Sequence, residues 1–335
     1  MATPNELKFA EAWRALDEKT TKPGWNTLPI ANDSGSLLLA GRHQPRNQES
    51  ALIGFTVAGL PKQTSLPQCK GFSLENVELP FQGSRYYCLA ITRQPSASLD
   101  IFSAMLEDIV AVLEHTNRSE AEHISAVIER ILGWQRFMSR EDDGVLRAED
   151  EVGLLGELHV VRLLIGTGIP ISEVVDWWQG PVDSLHDFVC PRGDIEVKSS
   201  VRVGAFSANV GSLDQLDESL VQPLYLAAVQ FSLSASGLRL PQHIDSVRDL
   251  LKADPAIITA FEGKLLAAGY HQVSAARYHR QFSYLLTSFY DVHGDFPRLT
   301  KGKVPAGVVD AKYRLEIDAS KFAALPLNDV LKRIG

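Results

Sequence analysis

Cysteine, net positive charge and long apolar runs are all scarce in this 335-residue chain, and each scarcity closes a class of function. Three cysteines, Cys69, Cys88 and Cys190, are an odd number without metal-ligand spacing. That excludes a disulfide-stapled secreted scaffold and a cysteine-built zinc site, and it fits reduced thiols in the cytoplasm, the expected location. No apolar run approaches the roughly 20 residues of a membrane span, and the opening MATPNELKF lacks the apolar centre of a signal peptide. No membrane is expected as a partner. The net charge of −8 excludes a surface that grips nucleic acid on every side, while leaving room for a local basic groove.

The length suggests two domains. Residues 1–140 read as an α+β domain. A helix is expected over 5–19, with Leu7, Phe9, Ala10, Trp13 and Leu16 near one side, and Pro23-Gly24 breaks it. Short strands are expected over 26–30, 36–40, 51–57, 71–79 and 85–92, then helices over 96–114 and 120–137. The segment GRHQPRNQES between the second and third strands reads as a solvated loop. Its sharper alternative is a nucleic-acid or partner contact through Arg42, His43, Arg46 and Asn47. His115 and His123 lack the spacing of a helical metal pair and are expected at the surface. No catalytic constellation stands out here, so specificity or assembly is the expected role. The charged, Gly-containing break at 139–144 marks the linker, and the second domain runs over 141–335.

The chemistry concentrates in the second domain. The stretch VDSLHDFVCPRGDIEVKSS, residues 182–200, reads as two strands, 185–190 and 194–199, joined by a turn at Pro191-Arg192-Gly193. Residues two apart on a strand share a side, so Glu196 and Lys198 project together and Val197 faces away. A hairpin of this size brings Asp187 alongside them, in a row with Leu185 and Val189. Acid-x-lysine triplets are common by chance, and four others occur here, among them Asp310-Ala311-Lys312. That one belongs to an alternating charged strand face, 310–318, whose charges satisfy each other. What distinguishes Glu196-Val197-Lys198 is its company. On the helix over 151–165, Glu151, His159 and Arg162 share an outward arc, whereas Glu157 falls amid Leu154, Val160, Val161 and Leu164. An acid inside an apolar stripe points to a site. Two or three carboxylates beside an ammonium are costly unless a divalent cation lies among the oxygens.

Further along, a strand is expected over 173–178, ending at Trp177-Trp178, where one ring would be core and the other could stack on a base. A helix is expected within 209–219, a strand apolar on both faces over 223–233, helices over 247–251 and 255–268, and a strand over 281–291. The cluster Arg277-Tyr278-His279-Arg280, with Arg298, Lys301 and Lys303, reads as solvated loops or as a phosphate-facing rim.

The succession of helix, three strands, helix and strand, with GLLGEL, HDF and IEVKSS as its marks, resembles the PD-(D/E)XK nuclease superfamily. Its finer pattern, including FPRL, PAGV and Tyr313, looks like the PD-(D/E)XK proteins of restriction and phage-defence gene clusters. The resemblance covers about residues 146–232 well and the C-terminal strands loosely. His186 stands where the family name has proline. The resemblance implies an α/β, restriction-endonuclease-like αβββαβ core with a mixed central sheet, α+β overall. It also implies a DNA endonuclease in which Asp187, Glu196 and the Val197 carbonyl hold Mg²⁺ or Mn²⁺. Lys198 would then orient and help deprotonate the attacking water, and Glu157 would reach the cation through water or bind a second one. Arg202, Gln215 and Arg298 are the nucleic-acid contacts this implies, Gln215 standing where the family tends to carry a glutamine facing the cleft. Cutting both strands of a duplex calls for two sites, hence a homodimer or a partner protein of a defence system. Two rival readings stay open: a catalytically silent nuclease fold that binds DNA or a partner, and an unrelated α/β protein with a salt-bridge network.

Overall fold

The computed structural model describes residues 4–17, 23–30, 36–67, 69–114, 118–139, 145–180, 184–202 and 204–335. His115 and most of the linker expected at 139–144 lie outside these residues. The chain forms two units, Met1–Gly144 and Val145–Gly335.

The first unit begins with α1 (Pro4–Asp17). Five strands follow, β1 (Gly24–Pro29), β2 (Leu37–Gln44), β3 (Gln48–Phe55), β4 (Phe72–Phe81) and β5 (Ser84–Arg93), and two helices close it, α2 (Leu99–Leu113) and α3 (Glu120–Ser139). The strands make one antiparallel sheet in the order β1-β2-β3-β5-β4. Two expectations fail here. The segment read as a solvated loop is the end of β2, a short turn and the start of β3. Arg42 is buried in it, donating from Nε to the Trp13 carbonyl at 3.0 Å and pairing with Glu49 at 3.5 Å. His43 lies against Trp25 with ring centroids 4.8 Å apart. Polar side chains of this segment are therefore spent on structure. His123, expected at the surface, is buried in α3.

The second unit opens with α4 (Ala148–Gly166) and α5 (Ile171–Trp177), followed by β6 (Phe188–Cys190), β7 (Gly193–Ser200), β8 (Phe206–Val210) and β9 (Leu224–Arg239). Then come α6 (Leu240–Leu251), α7 (Pro255–Ala268), β10 (Gln281–Asp291), β11 (Tyr313–Ile317) and α8 (Leu327–Ile334). The main sheet is mixed, in the order β10-β9-β7-β6, with β7 and β9 parallel and the outer pairs antiparallel. Strand β9 is apolar on both sides because both are covered. Tyr225, Ala227, Val229 and Phe231 pack toward the helices, whereas Leu224, Leu226 and Ala228 pack against the two-stranded β8–β11 sheet.

The strand expected over 173–178 is helix α5. A short apolar run suits either state, and here Val174, Val175 and Trp177 are buried on a helix that packs against α4 and α7. The helix expected within 209–219 is absent: β8 ends at Val210, and turns follow in which Asp217 Oδ1 accepts from the backbone and hydroxyl of Ser219. The order α-β-β-β-α-β therefore does not hold as read. The architecture is α+β with a mixed sheet, and two successive helices precede the hairpin. Among the described residues, no helix is long and apolar enough to cross a membrane.

Candidate active site

The site is built where β6 runs out. That strand pairs with β7 only from Phe188–Ile195 to Cys190–Gly193, so the edge of β7 beyond Ile195 has no strand beside it. Asp187 fills the gap, its Oδ2 accepting the backbone N–H of Val197 at 2.7 Å. On the other edge, Asp194 donates its N–H to the Pro223 carbonyl, and β7 runs on parallel to β9. The N–H and C=O of one strand residue point to the same side and alternate along the strand. The Val197 carbonyl therefore faces the open edge, as its N–H does.

Side chains of β7 alternate too. Ile195 and Val197 join the helix-side core, and Glu196 and Lys198 project from the other face. Lys198 Nζ donates to Glu196 Oε1 at 2.6 Å and to Gln215 Oε1 at 3.1 Å. Gln215 Oε1 also accepts the N–H of Gly211 at 2.8 Å, so the glutamine is fixed before it meets the lysine.

Helix α4 approaches β7 closely because Gly156 has no side chain. A Cβ there would lie 1.7 Å from Ser199 Oγ and 3.0 Å from Ser199 Cβ. This contact sets the next residue, Glu157, beside the same strand. Its Oε2 accepts the indole N–H of Trp178 at 2.8 Å. Burial pushes the Glu157 carboxyl up to about 7; the Trp178 bond and Lys198 pull it down, and Glu196 pushes it further up. Burial also raises Asp187 well above the ordinary carboxylate range, with Glu196 and Glu157 adding to the rise and Lys198 and the Val197 bond opposing it. For Lys198 burial favours the neutral amine, but Glu196, Asp187 and Glu157 outweigh it and hold the ammonium above its usual value. Asp187, Glu157 and Glu196 thus act on one another across a single patch that Lys198 shares.

Among the described residues, no three His, Cys, Asp or Glu side chains are drawn into a finished metal cage. Among these side chains, the Lys198 ammonium is bonded to Glu196. The donor set nonetheless fits a hard divalent cation. It is oxygen only, with Glu196 buried and Asp187 and Glu157 half-buried, and the carboxyls repel one another, a state that a cation relieves.

A family model described as "Putative PD-(D/E)XK family member, (DUF4420)" matches residues 9–318. The chain belongs to this family. Searches of the curated proteins and of the solved structures give no match. The match spans both units, so the first unit is part of what defines the family and not an appended module.

Within this PD-(D/E)XK chain, several expected site residues lie elsewhere. Arg298 is buried and bound to Glu218, with Nη1 donating to the Gly294 and Phe296 carbonyls at 3.1 and 3.0 Å, so it is not a rim cation. Arg280 is tied to Glu151 by Nε at 2.8 Å, and Tyr278 is buried with its hydroxyl accepting from the Leu146 N–H. The same pairing buries Glu151, which the helical arc had placed outside. Lys301 is exposed and paired with Asp214 at 2.8 Å. Arg202 is exposed at the end of β7. Leu185 and Val189 are exposed, so Asp187 precedes the strand and does not interrupt an inward apolar row. In the rival triplet, Asp310 accepts the Leu213 N–H, and β11 starts only at Tyr313.

Trp178 is the site residue that sequence reasoning missed: both tryptophans are buried, and neither offers a face to a base. His186 is another, buried with Nδ1 at 2.8 Å from Asp194 Oδ2 across the hairpin. A legible signal existed for Gly156, since a glycine inside an apolar helical run marks close packing.

Proposed function

We propose that this PD-(D/E)XK protein is a divalent-cation-dependent DNA endonuclease of restriction or phage-defence type, working in the cytoplasm as a homodimer or with a partner protein. One observation carries the reading: Asp187 accepts the Val197 N–H on the open edge of β7, the strand that also bears Glu196 bonded to the ammonium of Lys198. Phosphodiesters repel hydroxide, so hydrolysis needs neutralised charge and an oriented water. Asp187, Glu196 and the Val197 carbonyl are the groups that would hold Mg²⁺ or Mn²⁺, with Glu157 behind them. When bound, such a cation supplies charge neutralisation and a more acidic water.

The protein's own residues do the rest. Lys198, steadied by Glu196 and Gln215, presents a fixed positive charge to the phosphate and orients the attacking water. Gln215 limits the lysine to one direction. Arg202, exposed beside the strand end, is the cation available for a backbone phosphate. The role in specificity or assembly falls to the first unit, residues 1–144. A plasmid-nicking assay with Mg²⁺ or Mn²⁺, and a chelator control, tests the activity. Cleavage that needs the cation and disappears in Asp187→Ala and Lys198→Ala supports it. A purified, folded protein that binds DNA and never cuts it points to the silent binding module instead.

A further inference from the structure

We infer that Trp178 is a positioning residue for Glu157, and that the segment Trp178-Gln179 sets the spacing between Glu157 and Asp187. The inference rests on the reading of this site as a cation centre. Its geometry is independent of that reading. The indole N–H of Trp178 donates to Glu157 Oε2 at 2.8 Å, from a fully buried ring 5.6 Å from that of Phe261. An indole can only donate. It therefore holds one carboxylate oxygen, Oε2, and leaves Oε1 without a bond to the ring. The same two residues hold the second acid by their main chain. Trp178 bridges to Phe188, and the Gln179 N–H donates to the Asp187 carbonyl at 2.8 Å. Behind them, Lys264 Nζ donates to the carbonyls of Val175, at 2.7 Å, and Trp178. That ammonium closes the end of α5 and anchors the tryptophan to α7. Glu157 and Asp187 lie thirty residues apart in sequence, and this clamp is their shared reference point.

A residue that orients a ligand through a hydrogen bond typically contributes about 10- to 100-fold in metal affinity. Mn²⁺ alone, titrated calorimetrically into the full-length protein, is expected to bind about 10- to 100-fold more weakly to Trp178→Phe, which keeps an aromatic ring and loses the donor. Glu157→Gln is expected to weaken binding similarly, and the double variant no further than Glu157→Gln alone. Losses that add, or a Trp178→Phe affinity equal to wild type, overturn the inference, because a purely packing role predicts one of those.

A second readout needs neither cation nor substrate. With ¹⁵N-tryptophan labelling, the chain's five indole N–H resonances report separately. After residue-specific assignment, Glu157→Gln is expected to move the Trp178 signal most. This arm keeps Trp178 in place, so it holds even if Trp178→Phe fails to fold. An unmoved Trp178 signal in a protein that binds Mn²⁺ overturns the positioning role alone. A wild-type protein that binds no Mn²⁺ overturns both that role and the hydrolase reading.

Discussion

The carboxylate of Asp187 takes the backbone N–H of Val197 at 2.7 Å, and so occupies the place that a longer β6 would have filled. The acid is thereby a structural partner and a candidate cation ligand at once. The two roles separate by substitution. Asp187→Asn keeps an acceptor for the N–H and loses the charge, whereas Asp187→Ala leaves the N–H without its partner. In chelator, Asn is expected to be more stable than Ala by about 1–3 kcal/mol in urea unfolding, and at least as stable as wild type. Both are expected to lose cleavage by more than about a hundredfold. An alanine variant as stable as the asparagine one contradicts the structural half.

Glu157 links stability to pH. Its folded carboxyl sits at about 7, above the ordinary glutamate value, so between those values the native state holds a proton that the unfolded chain has released. The stability from this group is complete below the unfolded value and is lost as pH rises through about 7. Its size is up to about 3 kcal/mol. Thermal melts in chelator from pH 4.5 to 8 are expected to show wild type losing stability relative to Glu157→Gln as pH rises. Parallel curves for the two proteins would remove Glu157 from the buried patch.

Lys198 is the only cation bonded to Glu196 among the described contacts. Replacing it by methionine leaves the buried Glu196 carboxylate without its positive partner. Breaking a buried pair in this way costs about 3–5 kcal/mol. Lys198→Met is therefore expected to melt earlier than wild type in chelator, and to gain more in melting temperature when Mn²⁺ is added. Equal gains in the two proteins contradict a shared cation and ammonium site.

Gly156 tests how the helix delivers its acid. Gly156→Ala forces a methyl into Ser199, a collision expected to cost about 1–3 kcal/mol by urea unfolding. Ser199→Ala in the same chain is expected to recover only part of this, because the Ser199 Cβ at 3.0 Å remains. Full additivity of the two substitutions would show that α4 and β7 do not meet there.

The sequence made legible what rests on local period. Glu196 and Lys198 share a strand face because the period is two, and Glu157 stands out because it interrupts a helical stripe. What stayed hidden rests on partners far along the chain. Arg298 looked free until Glu218, 80 positions away, was placed beside it, and Arg280 until Glu151, 129 positions away. Helix α5 was misread because a run as short as ISEVVDW fits strand and helix periods alike, and only its packing against α4 and α7 decides. With it went the role of Trp178, whose bond to Glu157 joins the end of one helix to the middle of another. The αβββαβ order fails for a local reason at Asp217, whose side chain takes the backbone N–H of Ser219 two residues on and favours a turn over a helix.

The most direct measurement is anomalous diffraction from a crystal of the protein soaked in Mn²⁺. The account predicts a peak within about 2–2.3 Å of carboxylate oxygens of Asp187 and Glu196 and of the Val197 carbonyl. Manganese bound elsewhere with that position empty, or no ordered manganese at all, contradicts it.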